Sequence, residues 1–160
     1  MAPATQMTAG GALCNQAELL RSRVAVIRET VRTLPALTEA SVTDALTRLQ
    51  PFINYLAAHG RAEEHILYPY AEDTGVTGFT ALRDDHTRLD GLATAIASWT
   101  PAAGRAKLTL LLTAFCDTAE AHLALEADCC LSIVHEHSSA RKERYLYGEI
   151  EIETFETARQ

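Results

Sequence analysis

Four long segments of the chain carry apolar side chains at every third or fourth position, and this spacing constrains the fold more than any other feature. The segments span roughly residues 13–34, 41–70, 78–99 and 101–134. Such spacing places the apolar side chains along one face of an α-helix. Four helices of this length joined by short connections predict an all-α protein, folded as an up-down-up-down antiparallel four-helix bundle.

The rest of the chain lies on either side of this bundle. We expect a flexible N-terminus over residues 1–11, the bundle over residues 12–137 and a C-terminal extension over residues 138–160. Between Tyr145 and Phe155, apolar residues alternate with glutamates, which suits an exposed strand better than a helix. Two interpretations stay open: the strand pairs with a second copy of the chain to form a homodimer, or the segment is a frayed, charged end.

Charge and hydropathy disfavour several classes of partner. The formal net charge of the 160 residues is −7, which argues against binding to nucleic acid or to an anionic membrane surface. The N-terminus has no basic start followed by an apolar core, and the longest apolar run, around Leu108 to Leu112, is far too short to span a bilayer. We therefore expect a cytoplasmic protein with reduced cysteines and with no nucleic-acid or membrane partner.

Polar side chains interrupt the apolar faces of the predicted helices at positions that point inward: His59, Glu63, His86, His122 and Glu126. Two of the histidines are followed one turn later by a glutamate on the same face. Burying a carboxylate costs several kcal/mol unless it is paired or binds a metal, and no lysine or arginine shares these faces. Imidazole and carboxylate together suit iron, manganese or zinc, and bridging carboxylates with several histidines favour two irons.

The arrangement of these residues along the helices supports a shared site. A single inward histidine is more often a hydrogen-bonded core residue than a metal ligand. Here two copies of H-x-x-x-E lie on inward faces, and His86 is a third inward histidine on another helix. In an antiparallel bundle all three positions fall at the same end, which predicts one metal centre.

Three motifs carry a resemblance to a known family. HGRAEEHILYP at residues 59–69 resembles the second-helix signature of the hemerythrin-like, or HHE cation-binding, family: H-x-x-x-E followed by an aliphatic-aromatic-proline ending. DDH at residues 84–86 resembles the third-helix histidine of that family, and HLALE at residues 122–126 resembles its fourth-helix H-x-x-x-E. The resemblance covers roughly residues 13–134 and leaves the C-terminal extension unaccounted for.

The resemblance implies a cofactor and a set of ligands. Glu63 and Glu126 would bridge two iron ions (Fe2+ or Fe3+), which an oxide or hydroxide would also bridge, with manganese as another candidate metal. His59 would bind one ion, and His86 and His122 the other.

The chain also departs from the family pattern, which makes it a divergent member. No histidine precedes His59, and Gln16 occupies the inward position of the expected first-helix histidine. Asp90 stands where oxygen carriers have a second histidine on the third helix, as an extra ligand or as an acceptor for an imidazole N–H. Cys116 is a further candidate for the surroundings of the metal. A site poorer in nitrogen than that of an oxygen carrier does not favour reversible oxygen transport.

These observations predict a non-haem di-iron protein that binds and activates O2 or peroxide. We expect it to act as an oxidase or oxygenase on a small-molecule substrate. The alternative is a protein that binds or senses O2, nitric oxide or iron without turnover. A third interpretation is a bundle whose site has decayed and which works by association with another protein.

Overall fold

The structure is a computed structural model that describes residues 11–158. Every regular element within this range is helical, so the predicted all-α class is confirmed. Seven α-helices follow one another: α1 (Ala12–Thr33), α2 (Glu39–Ala62), α3 (Tyr68–Asp73), α4 (Thr80–Ala97), α5 (Arg105–Glu126), α6 (Ser132–His137) and α7 (Ala140–Ala158). The N-terminus predicted to be flexible, apart from Gly11, lies outside the described residues.

Two short π-helical turns join pairs of these helices into longer rods. The first, Glu63–Leu67, connects α2 to α3, and the second, Ala127–Leu131, connects α5 to α6. Pro69 accounts for the first turn, because it has no N–H to donate and its ring crowds the carbonyl four residues before it. A π turn takes about one residue more than an α turn, so the side chain five residues after Glu63 returns to the face of Glu63.

Four rods form the predicted bundle. α1 packs on α5, α5 packs on α4, and α4 packs on α2. The short connections between consecutive rods make them antiparallel. α1 and α2 make few direct contacts, because α7 lies between them and packs against both. A fifth helix therefore closes the bundle.

The structure corrects the expectation of a strand near the C-terminus. Residues 140–158 form α7, whose buried side chains recur at helical spacing: Glu143, Leu146, Ile150 and Thr154. Two of these four are polar, which hides the helical pattern in the sequence. The Thr154 hydroxyl donates to the carbonyl of Ile150 at 2.6 Å and is thereby satisfied inside the protein. Formation of a homodimer through the extension stays a prediction.

The core consists of two apolar clusters with the polar residues between them. The first cluster includes Val24, Ile27, Leu112 and Phe115. The second cluster includes Leu67, Phe79, Leu131 and Ile150. His86 stacks on Tyr68 of the second cluster and lines a cavity together with Leu89 of the first. The residues predicted to bind the metal therefore lie between the two apolar clusters.

The helical stretch Arg105–His137 has the length and composition of a membrane-spanning helix. The mean hydropathy of its most apolar window is 1.3, and 44% of that window is buried inside the protein. A core helix of a bundle meets the same criteria, so these figures are weak evidence for a membrane span. The expected cytoplasmic location stays a prediction.

Candidate metal centre

The structure brings together all five residues predicted from the sequence. α2 carries His59, and Glu63 begins the π turn that follows it. α4 carries His86. α5 carries His122 and, at its last position, Glu126. All five side chains are only 1% to 4% exposed, so the site is closed to bulk water.

The Glu63 carboxylate lies between two groups of imidazoles. Its Oε1 is 2.8 Å from His59 Nε2. Its Oε2 is 3.5 Å from His86 Nε2 and 3.9 Å from His122 Nε2. The two latter nitrogens are 3.0 Å apart, and Glu63, His86 and His122 offer ligand atoms within 4.8 Å of one another. One carboxylate therefore faces two separate sets of nitrogen donors.

Three neighbours fix the orientation of His86. Its Nδ1 is 2.8 Å from Glu64 Oε1, which leaves Nε2 turned to the site, as is usual for metal-binding histidines. Tyr68, five residues after Glu63, stacks on the ring with the centroids 5.7 Å apart, and its hydroxyl is 3.4 Å from Nε2. Gly60 allows the ring to approach α2, because an added Cβ would lie 2.5 Å from His86 Cδ2.

The pKa values of the two buried carboxyl groups are shifted in opposite directions. Burial would raise the pKa of Glu63, but three neighbouring imidazoles outweigh burial and hold its pKa well below the ordinary range. The pKa of Glu126 is raised well above its ordinary range, because burial penalises its charged form and the Glu63 carboxylate lies beside it. Burial lowers the pKa of His86, but Glu63 and Glu64 reverse this and leave it raised. A bound cation would allow both carboxyl groups to ionise.

Unpaired buried atoms also indicate a cation. Among the described residues, four buried side-chain atoms have no hydrogen-bond partner: His59 Nδ1, Glu63 Oε2, His122 Nδ1 and Glu126 Oε1. Such atoms are rare in folded proteins, and two of these are carboxylate oxygens inside the site. The carboxylate nearest to His122 Nδ1 is Asp85, at 3.8 Å. Imidazole and carboxylate donors of this kind fit iron or manganese.

A small apolar cavity adjoins four of the five residues: His59, Glu63, His86 and His122. Its volume is about 20 Å3, room for little more than one water-sized molecule. Apart from Gly60 and the polar site residues, only aliphatic side chains line it: Leu20, Leu56, Leu89, Ala119 and Leu123. A molecule of one or two heavy atoms fits beside the site.

Sequence comparison assigns the chain to a family. Residues 15–128, more than half of the chain, match the Hemerythrin HHE cation binding domain. The chain belongs to the hemerythrin HHE cation-binding family. No curated protein and no solved structure matches it. The fold, the family and the buried cluster agree that this hemerythrin domain has a metal site.

The first helix of the hemerythrin domain contributes Gln16, which is only 4% exposed. Its Nε2 donates a hydrogen bond to Glu151 Oε1 at 2.7 Å, and the Tyr55 hydroxyl donates to the same oxygen. The Tyr55 ring stacks on His59 with centroids 6.1 Å apart and an interplanar angle of 14°. Burial and the Glu151 carboxylate raise the pKa of Tyr55. Thus α7, outside the matched residues, contacts the His59 side of the site.

Two residues predicted to surround the metal lie elsewhere in the hemerythrin domain. Asp90 pairs with Arg61 at the surface of the bundle. Cys116 lies in the first apolar cluster, with its sulfur 3.9 Å from the Val24 carbonyl oxygen. Burial raises the pKa of Cys116 to about 11, so its thiol stays protonated at neutral pH.

Glu64, Tyr68 and Glu151 are the site residues that the sequence analysis missed. Glu64 lies off the apolar stripe of its helix, so periodicity gives no reason to place it near His86. Tyr68 lies on the wrong face of an uninterrupted α-helix, and only the π turn before Pro69 returns it to the site. Pro69 was the available signal, because a proline inside a helical pattern indicates an irregular turn.

Proposed function

We propose that the protein binds two iron ions, with manganese as the alternative metal, and uses them to activate O2 or peroxide. In this role it acts as an oxidase or oxygenase on a small molecule. The observation that carries the proposal is the position of Glu63, whose two oxygens face His59 on one side and the His86–His122 pair on the other. One carboxylate between two sets of nitrogens supports two metal positions rather than one.

The residues of the chain would divide the work as follows. Glu63 and Glu126 would supply carboxylate oxygens to the ions, and the imidazoles of His59, His86 and His122 would bind them from three different helices. Bound iron supplies one-electron redox chemistry and Lewis acidity. The aliphatic lining of the cavity excludes bulk water, and its size supports reactants such as O2 and peroxide.

A second candidate function is sensing of O2, nitric oxide or iron without turnover. The cavity favours it, because about 20 Å3 holds a diatomic molecule but not an organic substrate. On the enzyme proposal, the cavity therefore favours an oxidase over an oxygenase, because an organic substrate outside the cavity can donate electrons, whereas insertion of oxygen requires the substrate to lie beside the metal. The two functions differ in whether O2 or peroxide is consumed.

Metal analysis tests the proposed site first. The metal-free protein is loaded with ferrous iron under anaerobic conditions, and about two irons per chain are expected, as in other di-iron bundles. His86→Ala should lose about one of the two irons, whereas His137→Ala, on the exposed end of α6, should retain both. Only trace iron and manganese in the wild type would contradict both functions.

Turnover then separates the two functions. With excess reductant, repeated consumption of O2 or peroxide per iron pair supports the enzyme. A stable complex with O2 or nitric oxide that forms and reverses without net consumption supports the sensor. His137→Ala again serves as the control for effects unrelated to the site.

A further inference from the structure

Glu151 connects three helices next to the metal centre. Its Oε1 accepts hydrogen bonds from Gln16 of α1 and Tyr55 of α2, and Glu151 itself belongs to α7. Tyr55 in turn stacks on the imidazole of His59. The carboxylate is therefore linked through Tyr55 to the half of the site that has only one imidazole.

The chemistry of this contact determines which atom of Gln16 is available. A carboxylate oxygen only accepts hydrogen bonds, so the amide nitrogen of Gln16 must face Glu151. The carbonyl oxygen, which is the atom of an amide that can bind a metal, is left without this contact. Without Glu151, the amide would be free to rotate and to present either atom.

Gln16 also lies at the level of the site. Leu20, one turn further along α1 on the same face, lines the cavity together with His59 and Glu63. Because α1 and α2 run in opposite directions, the step from Leu20 to Gln16 follows the same direction along the bundle as the step from His59 to Glu63. Both Gln16 and His59 are almost fully buried, at 4% and 3% exposure.

We propose that Glu151 is a positioning residue for the metal centre, which orients Gln16 so that its carbonyl oxygen binds the ion held by His59. The inference rests on the proposed function only in requiring a metal ion at His59. Gln16 takes the place of the expected first-helix histidine, and its amide can turn either the oxygen or the nitrogen to the metal, so Glu151 decides which atom it presents. A helix outside the matched family residues therefore completes the His59 half of the site.

Titration with Co2+ alone, followed by its absorption spectrum under anaerobic conditions, tests the proposal. The wild type should bind two ions per chain. Glu151→Ala should bind one ion as the wild type does and the other about 10- to 100-fold more weakly, the usual loss when an orienting partner is removed. Glu153→Ala is the matched control, since Glu153 lies on the same helix and pairs with exposed His65 at 2.5 Å; this variant should bind both ions normally.

A second substitution separates positioning from a merely structural role. In the Glu151→Ala background, Gln16→His should restore binding of the weakened ion to near wild-type affinity, because either nitrogen of a neutral imidazole can bind a metal, whereas only the oxygen of an amide can. Glu151→Gln, which keeps an acceptor oxygen, should retain most of the affinity. Thermal unfolding of each metal-free variant checks that α7 remains folded.

The outcomes distinguish failure of this inference from failure of the proposed function. If the wild type binds no Co2+ and no iron, the proposed function fails. If the wild type binds only one ion, the two-iron proposal fails together with this inference. If the wild type binds two ions and Glu151→Ala also binds both normally, the role of Glu151 and Gln16 is wrong while the proposed function stands. If Gln16→His fails to restore the lost ion in a folded protein, the effect of Glu151 is structural and the inference is overturned.

Discussion

The two halves of the candidate metal centre are built differently. In the half formed by His86 and His122, two nitrogens converge, Glu64 orients one ring, and Gly60 leaves room for it. In the other half, His59 is the single imidazole, and its outer nitrogen has no partner among the described residues. The first half is supplied within the family domain, whereas we propose that the second depends on α7. On this proposal, one metal position is built entirely from the matched family residues and the other is completed by a helix outside them.

Removal of the shared Glu63 carboxylate should weaken metal binding in both halves of the site, because both halves need it. Glu63→Gln is expected to lower the affinity for both ions by more than the roughly 10- to 100-fold lost when a residue that only orients a ligand is removed. Metal analysis and Co2+ titration measure this loss. Glu72→Gln, at an exposed ion pair with Arg83, is the control and should bind both ions. Normal binding of either ion by Glu63→Gln would contradict the bridging role.

Steric displacement of one ring should affect the His86 half alone. Gly60→Ala places a Cβ against the imidazole, and such overpacking costs about 1–3 kcal/mol, partly offset by the higher helix propensity of alanine. We expect loss of one Co2+ ion and retention of the other. Gly91→Ala is the matched control, because an added Cβ there meets nothing within 4 Å.

The Gly91→Ala variant should bind both ions and unfold at the wild-type temperature or slightly above it. If Gly60→Ala also binds both ions normally, the ring of His86 is not held where the structure places it.

Removal of the carboxylate that orients His86 should weaken metal binding in the His86 half less than Gly60→Ala does. Glu64→Gln replaces the ionised partner of His86 Nδ1 with a neutral one, and about a 10-fold loss of affinity for one ion is expected. Asp90→Asn is the control, because it removes a carboxylate that pairs with Arg61 and not with His86. Equal losses in the two variants would show that the effect is one of net charge and not of ring orientation.

The smallest effect is expected from Tyr68→Phe. This substitution keeps the stack on His86 and removes only the hydroxyl, which interacts with Glu126. Loss of one hydrogen bond of about 1 kcal/mol corresponds to roughly a fivefold change in affinity. Isothermal titration with Co2+ measures it, and a complete loss of one ion would show that Tyr68 is itself a ligand.

Helical periodicity was sufficient to find the five predicted ligands, because each interrupts an apolar stripe and the stripe fixes the direction of the side chain. It could not find Glu64, whose importance depends on a histidine 22 residues away on another helix. It also placed Asp90 and Cys116 near the metal, although Arg61 and the apolar core account for them. Whether a residue lies beside the metal therefore depends on contacts between helices, and the periodicity of one helix does not contain that information.

The C-terminal helix shows a second limitation of periodicity, because a short segment can fit both a strand and a helix. A period of two and a helical period overlap over a short segment, and the sequence between Tyr145 and Phe155 satisfies both. Packing against α1 and α2 decides in favour of the helix, with Leu146 and Ile150 buried and Ile152 exposed. The two π turns could not be predicted from the periodicity either, although Pro69 indicates an irregular turn near the first of them.

The contact between Gln16 and Glu151 also has a consequence for the order of events during synthesis. The two residues are 135 positions apart, whereas His86 and His122 are 36 apart. Contacts between distant positions form only after the intervening chain has been made. The His86–His122 pair can therefore assemble on a chain still attached to the ribosome. On our proposal that Glu151 orients Gln16, the His59 side is completed only when α7 has been made, so a growing chain would acquire its two metal ions one after the other.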